Sequence, residues 1–277
     1  MKVDSTMESL LIKLVVTPML VGAASLAGRR WGPGVSGWLV ALPLTSGPIV
    51  FFLALSHGAH FASSVAAATL VGAISQAAFC LAYSHTALRW RWPHALLFAC
   101  LGFLVATLVL QSADLPLLAR FLLVVLGLLV ALRLMPPAAA QTRKERVAPP
   151  RWDIPARMVV TTTFVVLLTA SASALGASLT GLLAPFPLFA TVLAVFAHRH
   201  QGPEPAVEVL RGLLYGLFSF AGFFLVLGML LDDAHIAGAF GAAIAVALVI
   251  QGVTLWAQGG RTRLKRALPP LGPPANG

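Results

Sequence analysis

The sequence predicts an all-α polytopic membrane protein of about nine transmembrane helices in two inverted-topology repeats. Composition is the first reason. Of 277 residues, 58% are hydrophobic and only 10% charged, with a mean hydropathy of +0.89, too little polar surface for a soluble domain of this length. The second is run length: apolar stretches of about 20 residues, enough to cross the hydrocarbon core, recur along the chain. The third is an internal duplication. At a constant offset of 144, Lys13-Leu-Val-Val-Thr17 returns as Arg157-Met-Val-Val-Thr161, and Gly37, Pro43, Gly58, Gly72 and Ser75 return as Gly181, Pro187, Gly202, Gly216 and Ser219. Leu, Ala and Val coincide freely in apolar sequence, whereas Gly, Pro and Thr in one ungapped frame mark a repeat.

Expected spans are 9–28, 37–56, 61–83, 93–111, 116–135, 157–175, 180–197, 207–231 and 236–257. The first has small residues from Ala23 to Ala27, as a cleaved secretory signal does, but its counterpart at 157–175 lies mid-chain and cannot be a signal. The first repeat core is 9–87, and the fourth and fifth spans fill 93–135. A Pro/Ala-rich basic stretch, 136–156, is expected to be a cytoplasmic linker. The second repeat covers 157–257, and 258–277 is a basic, proline-rich cytoplasmic tail. The fourth spans match weakly and the fifth has no partner, so the fifth is expected to return the chain and let the second repeat enter upside down.

Orientation follows from the arginines and lysines, which are retained on the cytoplasmic side of short loops. Alternate connections carry Arg29 and Arg30, Arg89 and Arg91, Arg133 with the linker basics, Arg199 with Arg211, and Arg261 to Arg266; the others carry His57, His60, Asp114, Asp232 and Asp233. This places the N-terminus outside and the C-terminus in the cytoplasm of a bacterial inner membrane. The net charge of +10 is then topology and contact with anionic lipids at the cytoplasmic face rather than nucleic-acid binding. Trp31, Trp38, Trp90, Trp92 and Trp152 fall at the cytoplasmic boundaries, as an interfacial belt would.

Candidate substrate ligands lie where spans are interrupted. Ala41-Leu-Pro-Leu-Thr-Ser-Gly-Pro48 places Pro43, Thr45, Ser46 and Pro48 inside the second span; Ala184-Pro-Phe-Pro-Leu-Phe-Ala-Thr191 places Pro187 and Thr191 inside the seventh. Each proline withdraws a helical hydrogen bond, and in lipid the freed carbonyl needs another partner. Proline kinks that only shape the bundle are the plain alternative. Intramembrane cations are the second candidates: Lys13 and Arg157 are repeat mates, each followed one turn later by Thr17 or Thr161, and Arg211 lies early in the eighth span beside Glu204 and Glu208. Lysine and arginine this near a span end also snorkel to the interface without further role.

None of the nine acidic residues falls deep in a span, so a proton-coupled mechanism is not expected. The histidines are split between the two faces and form no metal-binding set. Cys80 and Cys100 read as small apolar fillers. No hydrolase, metalloprotease or phosphate-loop signature is present, and neither enzymatic activity nor a cofactor is expected.

The run Leu179-Thr-Gly-Leu-Leu-Ala-Pro-Phe-Pro-Leu-Phe-Ala190, followed by Leu210-Arg-Gly-Leu-Leu-Tyr-Gly-Leu-Phe-Ser219, resembles the GlpM-like family of small bacterial inner-membrane proteins. Arg157, Gly181, Pro187, Arg211 and Gly216 would occupy the family's positions; the first repeat keeps Lys13, Gly37, Pro43 and Gly72 but has Ala67 in place of the arginine. The resemblance implies a bacterial inner-membrane location.

The expected function is a carrier or flippase-like permease for a small polar, anionic or amphipathic solute, rocking about Pro43, Pro48, Pro185 and Pro187. The alternative is a non-transporting scaffold or accessory subunit of envelope biogenesis, with oligomer or envelope-complex partners held on small-residue faces. A green fluorescent protein fused after Gly277 is expected to fluoresce, and alkaline phosphatase fused after Asp114 to be active. The reverse pattern overturns the orientation.

Overall fold

A computed structural model describes residues 2–43, 46–111, 115–137, 150, 152–167, 185–233 and 235–267, with backbone alone for 2–14, 111 and 257–267. The described residues form ten helices: α1 (Lys2–Trp31), α2 (Pro33–Val40), α3 (Ser46–His57), α4 (Ala59–Ala87), α5 (Trp92–Gln111), α6 (Leu117–Leu134), α7 (153–167), α8 (Leu188–Gln201), α9 (Pro203–Leu230) and α10 (Ile236–Ala267). Five are long and apolar enough to cross a membrane: Ala59–Ala87, Trp92–Leu110, Leu117–Leu134, Pro203–Leu230 and Ile236–Trp256. Five such helices in one chain point to a multi-pass membrane protein.

About nine spans were expected, and two of the four that differ have a local cause. The expected second span is cut into α2 and α3, and the seventh is interrupted ahead of α8, leaving pieces of 8, 12 and 14 residues. Prolines lie at the cuts, Pro43 between α2 and α3 and Pro185 and Pro187 ahead of α8, and glycines lie at the joints between spans. Gly32, Gly58 and Gly202 have φ of +106°, +91° and +101°, a backbone region nearly closed to other residues, and each directly precedes a helix. After Gly32 and Gly202 comes a proline at the first helical position, where no intrahelical N–H is needed. Helix α7 starts within the stretch read as linker, since Asp153 occupies its first turn and pairs with Arg157 one turn on.

Two helices form the centre. About half of the α4 span and more than half of the α9 span is buried, against less than a third for α5, α6 and α10. The two run antiparallel. Ser63 Oγ, near the start of α4, donates to Asp232 Oδ2 just past the end of α9 at 2.9 Å; Tyr83 OH, near the end of α4, meets His198 Nδ1, just ahead of α9, at 3.3 Å. Helix α6 touches both central helices. Leucines such as Leu97, Leu101, Leu122 and Leu126 leave the outer faces of α5 and α6 apolar and open.

Glycines set how closely the two halves meet. A Cβ at Gly72 in α4 would lie 2.6 Å from Pro185 Cβ, and one at Gly216 in α9 would lie 2.4 Å from Ala41 Cβ. These contacts exchange under the offset of 144: Gly216 follows Gly72 by it, and Pro185 follows Ala41. Each central helix therefore receives the interrupted segment of the opposite half on a glycine. Replacing Gly72 or Gly216 with valine is expected to cost ~1–3 kcal/mol through forced displacement, lowering the unfolding midpoint in detergent. Gly241→Val, with open space at its Cβ position, is expected to leave the midpoint unchanged. Equal midpoints for all three variants would remove the glycine contacts as determinants.

Candidate functional site

The first interruption frees a carbonyl, and the structure supplies its partner. In a continuous helix Trp38 O would accept from the Leu42 N–H, but that N–H turns to Leu39 O at 3.3 Å. Gln251 Nε2 from α10 donates to Trp38 O instead, at 2.9 Å. Trp38 Nε1 donates to Thr254 Oγ1 at 3.1 Å, and Thr254 Oγ1 donates to Gln251 O at 3.0 Å. A Cβ at Gly216 would stand 2.6 Å from Trp38 O, so the carbonyl reaches α10 across a helix surface stripped of side chain. Trp38 is accordingly buried and belongs to this seam, not to the interfacial belt. Nearby, Ser219 Oγ donates to Ala247 O at 2.8 Å, a polar tie between α9 and α10.

Ahead of α8 the bonds are those that start the helix. Pro187 O accepts both the N–H and the hydroxyl of Thr191, each at 2.8 Å. Phe186 fills the space, edge-on to Phe79 at 5.6 Å and to Phe103 at 5.3 Å. Beside the first interruption lies a cleft of about 110 Å³ whose wall, including Leu20, Ala24, Leu39, Leu42 and Phe189, is apolar.

The sequence-selected residues separate into groups. Pro43 is buried, its carbonyl accepting the Gly47 N–H at 2.8 Å, and Ser46 is half-buried. Pro48 lies outside the break, in the first turn of α3, with its ring exposed. Thr45 and the Lys13 side chain lie outside the described residues. Thr17 is buried, and buried Thr161 donates to Arg157 O at 2.7 Å. Arg211 donates to the Pro136 carbonyl.

Arg157 is apart from the breaks. Its side chain lies over Phe196 at 5.3 Å, and Phe196 is nine residues, or about 13 Å of helix rise, beyond Pro187. Rather than snorkelling, the guanidinium is buried against Asp153 at 3.1 Å. Asp153 also pairs with Arg29 of α1 at 3.4 Å, and Arg29 donates to Pro150 O at 3.3 Å. One carboxylate thus joins α1 to α7.

Asp153 and Gln251 are the residues that sequence reasoning missed. Asp153 lay in the presumed linker, though its spacing of four from Arg157 is the helical ion-pair spacing. Gln251 escaped a search confined to charges, though an amide inside an apolar span needs a partner as a charge does. No family model, curated protein or solved structure matches the chain.

Gln251→Leu is expected to strand the Trp38 carbonyl and cost ~1–3 kcal/mol, read as a lower unfolding midpoint, while Val253→Leu on the exposed face of α10 has no effect. Equal midpoints for wild type and Gln251→Leu would dismiss the amide as the cap of α2.

Proposed function

We propose that this chain is a two-module carrier or flippase-like permease for a small polar, anionic or amphipathic solute, built from inverted repeats and working by alternating access. The observation that carries the reading is the exchanged pair of contacts, Gly72 with Pro185 and Gly216 with Ala41. Helices α4 and α9, related by the offset of 144, run antiparallel, and each packs against the interruption of the opposite half. Such an arrangement has two equivalent ways to lean, which is the geometric requirement for alternating access about a midplane site. Residues around the two breaks, Pro43, Ser46, Pro187 and Thr191, border the pathway in this reading. Orientation with the N-terminus outside, residence in a bacterial inner membrane and kinship with GlpM-like proteins belong to the same proposal.

A second reading draws on a specific observation. The hydroxyls of Thr161 and Thr191 are bonded within their own helices, and the cleft beside the first break is small and apolar. A filled interface of this kind suits a non-transporting scaffold or accessory subunit of the cell envelope.

Single cysteines at Ser46, Phe189 and Thr191, in a background lacking Cys80 and Cys100, separate the two. Labelling by membrane-impermeant maleimide in both intact cells and inverted vesicles is expected for a carrier. Protection of all three positions from both sides overturns the carrier and leaves the scaffold.

A further inference from the structure

The corner where α1, α7 and α8 meet has an unbalanced charge. Among the described residues, Arg29 and Arg157 share one carboxylate, Asp153, at 3.4 and 3.1 Å, leaving one surplus positive charge. Both Arg157 and Asp153 are more than nine-tenths buried. Two cations gathered on one carboxylate, one of them buried, leave the corner electropositive, so the cluster as it stands favours an incoming anion.

Two further observations show where the anion would be received. Arg157 Nε and His200 Nε2 are both buried and have no hydrogen-bond partner among the described residues. They border the same aromatic lining: Arg157 lies over the Phe196 ring at 5.3 Å, and the His200 ring is 6.0 Å from Phe196 and 5.2 Å from Trp152. Trp152 itself is half-exposed, and Arg29 is about one-third exposed, so the corner is reachable from its rim. Guanidinium forks match the paired oxygens of carboxylates and phosphates.

We infer that Arg29, Arg157 and His200 form an oxyanion-binding site, with Asp153 as the resident counter-ion that a phosphate or phosphodiester group displaces. With Asp153 displaced, two guanidinium forks face the ligand, and the paired oxygens of a phosphate or of a lipid-headgroup phosphodiester fit them. Displacement also frees Asp153 from Arg29, and so loosens α1 of one half from α7 of the other. The inference rests on the proposed carrier only in calling the anion a cargo. Binding is read at equilibrium without a gradient, so its failure and the failure of transport are separate results.

The test uses the full chain in phosphatidylcholine nanodiscs, following the unfolding midpoint during titration with inorganic phosphate, and in a parallel arm with nanodiscs containing phosphatidylglycerol. The midpoint is expected to rise saturably with phosphate or with the anionic lipid. A phosphate response assigns a soluble oxyanion; a response to phosphatidylglycerol alone assigns a headgroup. Asp153→Asn removes the competing carboxylate, so its midpoint without anion is expected to fall and its half-saturating anion concentration to drop about tenfold. Arg157→Gln is expected to lose the response, and Arg29→Gln, a change at the rim, to weaken it even where Arg157→Gln fails to fold. No response in either arm, or the same response in wild type, Arg29→Gln and Asp153→Asn, overturns the site.

Discussion

A carbonyl inside a membrane must have a donor, and the architecture around α2 follows from that demand. Ending α2 at Val40 strands the Trp38 oxygen in the protein interior, where a donor must meet it. The amide of Gln251 meets it where residue 216 has no side chain, and Gly216 has this neighbour because α2 packs against α9 as well as α1. Removing any one of the three leaves the other two without purpose. The interruption in the first half is therefore stabilised by the second half, and the two are one structure rather than two bundles in contact.

The second half has a different surround. Ahead of α8 the Phe186 ring packs edge-on against Phe79 and Phe103, and Pro187 O accepts the N–H and hydroxyl of Thr191 as the first bonds of the helix that follows. A polar seam thus flanks the first interruption, and an aromatic one flanks the residues before α8.

Much of this was legible in the chain. Apolar run length marked the helices, and matched glycines and prolines marked where they stop, because left-handed turns and missing N–H groups are properties of single residues. Gly58 and Gly202 turn the chain at the expected places. What could not be read was which residues answer the breaks. Gln251 and Trp38 are more than 200 positions apart, and no periodicity joins an amide in α10 to a carbonyl in α2. Pro48 misled for a related reason: a proline in the first turn of a helix is accommodated, and whether it begins a helix or breaks one depends on the fold of the residues before it. Arg157 was visible as a charge, while its partner was hidden by a boundary drawn at 156 when the helix begins at 153.

The reliance of α2 on Gln251 also has a temporal side. Trp38 leaves the ribosome long before Gln251, 213 positions ahead of it, and at 5–20 residues per second the delay is about 10 to 40 s. Throughout that interval the Trp38 carbonyl lacks the amide that meets it in the finished fold, and until Pro185 is made Gly72 faces no proline. The first half alone thus exposes polar backbone that the whole chain covers. Completion of α10 is the event that covers it.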